Sequence, residues 1–144
     1  MKKHPDWVAR FVKVLKLHEG EPFDWATHNC CTLSAELFEA TTGQSSRAFF
    51  PDLSAKTKRE SFRELVKFSK GGLVPAGDKM AEKFGMEKIP PLMAQRGDPV
   101  VADFDGEILM ATVGFDGRSL VVITPKDGLT YLPVNYAIAA WRIT

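Results

Sequence analysis

Residues 99–134 read "PVVADFDGEILMATVGFDGRSLVVITPKDGLTYLPV". Four apolar runs are separated by Asp105-Gly106, Asp116-Gly117 and Asp127-Gly128, three pairs spaced eleven residues apart. Asp-Gly between apolar runs predicts a tight hairpin, because both central positions of the favoured turn need φ > 0. Its recurrence predicts an antiparallel β-meander over about 98–144, with "AIAAWRIT" (137–144) as the closing strand.

The chain before this block has a helical period. From Asp6 to about His18, the residues Trp7, Phe11, Val14 and Leu15 share one face, and Gly20 and Pro22 end the run. A second helix is expected from about Asn29 to Thr42, with Leu33, Leu37 and Phe38 as its stripe and Gly43 at C′. A third is expected over about Lys56–Ser69. A shorter one, about Ala76–Phe84, has Met80, Ala81 and Phe84 on its apolar face. Helices first and a meander second predict an α+β fold. We expect one domain over 1–144, with its helical part at about 5–85.

Composition narrows the function. The chain has 144 residues, 44% hydrophobic and 26% charged, with a formal net charge of +1. A nearly neutral chain with dispersed Lys and Arg carries no electrostatic footprint for nucleic acid or anionic lipid. No apolar run is long enough to span a membrane. "MKKHPDWVARFV" lacks the apolar core and cleavage site of a secretory signal, so synthesis in a reducing cytosol is expected. Adjacent Cys30 and Cys31 make no disulfide framework, and His4, His18 and His28 have no metal-ligand spacing. No cofactor or metal is expected.

The chemistry concentrates in "PFDWATHNCCTLSAELFEATTG" (22–43). With Asn29 as N-cap, Cys30 occupies the first helical position, near unpaired N–H groups and the positive end of the helix dipole. That placement favours a thiolate. Cys31 is turned about 100° around the helix from Cys30, so only one of the two is expected to face a site. Cys30 shares a face with Leu33, Ser34 and Leu37, and Cys31 with Ala35 and Phe38. A nucleophile needs a base, whereas a buried thiol can equally be a small core residue. His28, two residues before Cys30, is either a weak candidate base or a polar residue capping the helix or meeting solvent.

Other polar residues have plainer readings. Asp98 begins a strand, Asp105 makes a turn and Asp103 faces solvent by alternation. Trp7, Trp25 and Trp141 are expected in the core. The loop pair Phe49-Phe50 either folds back over the helices or docks on a partner.

The aromatic-to-cysteine stretch "FDW…HNCCTLSAELFEATTG", "GGL", "IPPLMAQRGDPVV" and "AAWRI", in that order, resembles a family of phage and prophage tail-cluster proteins. That family is similar to the NlpC-type cell-wall peptidases of papain-like fold. The resemblance covers nearly the whole chain from Trp7. It implies a papain-like scaffold with Cys30 in the nucleophile position, Asn29 replacing the usual Asp. It places the base near Ile108 or Leu109 and the polar third member near Thr124, but no His lies on those strands. It therefore implies a degenerate member: a structural component of the tail tip or baseplate, resident in the virion after synthesis in the bacterial cytoplasm. Its partners would be hub, distal-tail and tape-measure-region proteins, with peptidoglycan as a further candidate. The rival readings are an active thiol peptidase or amidase cutting peptidoglycan stem peptides, and an assembly factor absent from the finished particle.

Overall fold

The structure is a computed structural model that describes residues 1–24, 28–47, 60 and 72–144. Its elements are α1 (Trp7–His18), α2 (Cys30–Thr42), α3 (Leu73–Phe84) and strands β1 (Glu87–Ile89), β2 (Pro99–Phe104), β3 (Glu107–Val113), β4 (Ser119–Thr124), β5 (Gly128–Pro133) and β6 (Ala137–Arg142). The expected helix at 56–69, the Phe49-Phe50 loop and Trp25 lie outside the described residues.

The six strands form one sheet in the order β1-β6-β2-β3-β4-β5, and every pairing is antiparallel. The expected α+β architecture is therefore present, and β2 to β5 form the meander. The closing strand β6 does not extend it beyond β5. It returns to the opposite side and pairs with β2, where the register shifts between Val101 and Ala102. Strand β1, three residues of the sequence "EKI", was not expected; only its pairing with β6 defines it.

The Asp-Gly turns follow the expectation at one of three places. Asp105 and Gly106 both have positive φ, 52° and 84°, as the tightest hairpin requires. At the other two only the glycine does, Gly117 at 69° and Gly128 at 66°. There the turns are longer. Asp116 works as a side-chain acceptor, taking N–H bonds from Arg118 and Ser119, each at 2.9 Å. Those bonds hold the Asp116 carboxyl below its ordinary pKa.

Both faces of the sheet are buried. Towards the helices, Val101, Met110, Ala139 and Trp141 pack with Ala35, Phe38, Ala76 and Met80, while Val121 and Ile123 pack with Phe11, Leu15, Leu33 and Leu37. On the other face Val100, Ala102, Leu109, Ala111, Val113, Leu120 and Val122 form a second cluster with Ala94 and Ala140. Trp141 is fully buried as expected, whereas Trp7 is only half-buried and packs on Phe11 and Phe115.

Helix α3 starts three residues earlier than expected, at Leu73. Pro75 falls within its first turn, where a missing N–H costs nothing. Asp98 departs further from its plain reading. It is fully buried and accepts from Gln95 N at 2.8 Å, Ile143 N at 2.9 Å and Arg142 Nε at 3.1 Å. It ties the entry of β2 to the end of β6.

Candidate functional site

The site is built on the first turn of α2. Asn29 is extended, and its Oδ1 accepts from Cys31 N at 2.9 Å and Thr32 N at 3.1 Å. Thr32 Oγ1 accepts from Asn29 N at 2.8 Å in return, which completes a reciprocal cap. Gly43, at φ 78°, ends the helix in the left-handed conformation. The expected cap and the expected stop are both present, so Cys30 occupies the first helical position.

Cys30 lies beside the part of β3 that is not paired with β4. β3 and β4 pair only at Thr112–Val121 and Val113–Leu120, so they separate before reaching Met110. The Cys30 side chain lies at the main chain of Met110 and packs against the clusters on both faces of the sheet. Cys31 packs with Ala35 and Phe38 in the helix-side cluster, as its helical face predicts.

The two thiols pack in different surroundings and still interact. Cys31 hydrogen-bonds to the Cys30 sulfur, and this contact is the largest influence lowering the Cys30 pKa. Burial opposes it; the main chains of Met110, Cys31 and Cys30 add to it. Donors directed at a sulfur favour its anion, and here the Cys31 thiol and main-chain N–H groups act together against burial. Cys31, the donor, is pushed well above its ordinary pKa by that same bond, by burial and by the charge on Cys30. Both cysteines are free thiols and partly exposed.

His28 is placed differently from the sequence reading. It neither caps the helix, which Asn29 does, nor meets solvent, being 7% exposed. Its Nδ1 lies 2.8 Å from Nδ1 of His18, and His18 Nε2 closely contacts Glu36 Oε2. His4 Nδ1 accepts from Asp6 N. All three histidines of the chain are thus described, and none hydrogen-bonds to Cys30.

The positions assigned by resemblance to a base and its partner are occupied otherwise. Ile108 is 44% exposed and stands opposite Asp103, and Leu109 is buried in the second-face cluster. Thr124 Oγ1 accepts from Asp127 N at 3.1 Å and so serves the β4–β5 turn. No group of three or more His, Cys, Asp or Glu that could hold a metal ion occurs among the described residues.

Sequence reasoning missed His18 and Glu36. The signal for His18 was available: positions 11, 15 and 18 continue one helical stripe, so a histidine there points to the core with Phe11 and Leu15. Glu36 gave no comparable signal, since it flanks the α2 stripe and is only half-buried.

Residues 2–143 match a family described as a domain of unknown function, DUF6950. The chain belongs to that family. No curated protein matches it. The DUF6950 match spans the helices, the capped cysteine pair and the whole sheet, so the site lies within the family domain.

Proposed function

We propose that this chain is a structural component of a phage or prophage tail tip, built on an NlpC-like, papain-like scaffold that has lost its chemistry. One observation carries the reading. Cys30 stands at the start of a capped helix against a strand of the sheet, where a papain-like nucleophile would stand, while every histidine in the chain is engaged elsewhere. Loss of a general base costs about 10²–10⁴-fold in rate, and a thiol without one has little hydrolytic use. The order of helices, then an antiparallel sheet, supports the scaffold assignment. In this reading the protein works by contact with hub, distal-tail or tape-measure-region proteins. Mass spectrometry of purified particles tests it: the chain should be present in fixed copy number relative to the tail proteins. Its absence from particles would favour an assembly factor instead.

A second reading has one observation in its favour. The Cys30 thiol is held below its ordinary pKa by Cys31 and the surrounding main chain, which is the state of a reactive nucleophile. An active thiol peptidase acting on peptidoglycan stem peptides would use it so. Cleavage of murein by the purified protein, lost in Cys30→Ala, would establish that alternative.

A further inference from the structure

His18 ends α1, His28 lies just before the α2 cap, and Glu36 lies within α2. Both histidines are 7% exposed, and their rings stack with centroids 4.7 Å apart and planes inclined by 23°. Their Nδ1 atoms are 2.8 Å apart, His18 Nε2 meets Glu36 Oε2, and the buried His28 Nε2 has no hydrogen-bond partner among the described residues. A buried imidazole pair is costly to assemble.

The protons on this chain can be counted. Two Nδ1 atoms in hydrogen-bond contact share one proton, and His18 Nε2 carries another to face the carboxylate. In that state the pair is neutral and His28 Nε2 bears a lone pair. One further proton, placed on His28 Nε2, leaves the Nδ1–Nδ1 bond intact, and the resulting cation is shared between the rings beside Glu36. The next proton has no free site except the shared bond. Both Nδ1 atoms would then be donors facing each other, on two stacked cations.

The surrounding charges partly offset one cation and cannot offset two. Glu21 and Asp24, from the segment after α1, and Glu36, from α2, favour the charged form of His28. Arg47 Nη2 lies 3.7 Å from Glu36 Oε1, and Arg10, Lys13 and Glu39 share a groove with Glu36, so part of that carboxylate's field is already taken. Burial, and then the charge of His18, set the His28 pKa below its ordinary value.

We propose that the His18–His28–Glu36 chain is an acid-released latch between the end of α1 and the start of α2, which begins to loosen with one extra proton and lets go on taking a second. What it holds is adjacent to the cysteine pair. His28 exchanges main-chain bonds with Asp24 at 2.9 and 3.0 Å, and the next residue, Asn29, caps the helix over Cys30 and Cys31. Release therefore loosens the first turn of α2, which carries both thiols.

The test uses the full chain with ¹⁵N-labelled imidazoles, titrated downward from neutral pH, with amide-exchange protection read at His28 and Leu33. These amides bond to Asp24 O and Asn29 O. The Nδ1–Nδ1 coupling should survive the first protonation and vanish with the second. Protection at both amides should begin to fall with the first protonation, about tenfold per pH unit for one linked proton, and steepen with the second. His18→Gln, whose amide oxygen can accept from His28 without titrating, should remove the steepening. Should His18→Gln not fold, the wild-type titration decides alone. Protection that persists after both imidazoles are doubly protonated overturns the latch, as does an unchanged slope in a folded His18→Gln.

Discussion

Gly77 lies flat against the indole of Trp141. A methyl group at Gly77 would come 2.7 Å from Trp141 Cζ3 and closer still to Cζ2 and Cη2. Trp141 is fully buried, and its Nε1 donates to Asp78 Oδ1 at 3.1 Å, which fixes the ring from the neighbouring helical position. The glycine is thus the surface on which α3 meets β6.

Gly77→Ala should therefore destabilise the protein, although Ala is the better helix former by about 1 kcal/mol. Overpacking of a fixed core ring costs about 1–3 kcal/mol, and so close an approach belongs at the upper end of that range. Urea denaturation should show a lower midpoint with an unchanged slope. An unchanged midpoint would mean that the indole can move aside.

Asp98→Ala should cost more. It leaves the Arg142 guanidinium without its buried partner and strips the acceptor from Gln95 N and Ile143 N. Removing one member of a buried ion pair costs about 3–5 kcal/mol. Thermal unfolding monitored by circular dichroism should show a large drop in midpoint. Asp98→Asn, which keeps an acceptor oxygen, should lose less.

The cysteine pair gives a pH-dependent prediction. Cys31 is the largest influence holding the Cys30 pKa down, so Cys31→Ala should raise it. With the folded-state pKa depressed, the thiolate contributes stability above the unfolded-state pKa, and that contribution is lost as pH falls through the folded value. Alkylation rate against pH should therefore show Cys30 titrating below an ordinary thiol in the wild type. In Cys31→Ala the midpoint should move up. An identical curve in the two proteins would remove Cys31 from this role.

The strands were legible because the apolar runs and Asp-Gly pairs of 99–134 repeat a local pattern that needs no tertiary information. The cap at Asn29 and the stop at Gly43 were legible for the same reason. β1 was not, since three residues of "EKI" become a strand only by pairing with β6. The return of β6 to β2 was likewise invisible, because hairpin chemistry fixes neighbours and says nothing about a strand that crosses back. At the candidate site, the position of Cys30 could be read from local signals. The pairing of His18 with His28 could not, because it depends on how α1 packs beside α2. Asp98 was underread: its three bonds come from Gln95, Arg142 and Ile143, two of them over forty residues away in sequence.

We propose that Cys30 holds a nucleophile's position without a base to use it. Incubating the purified full-length protein with murein, beside Cys30→Ala, and analysing the released fragments by mass spectrometry tests it most directly. No stem-peptide cleavage by the wild type above the Cys30→Ala background is expected. Cleavage by the wild type that Cys30→Ala abolishes would contradict it.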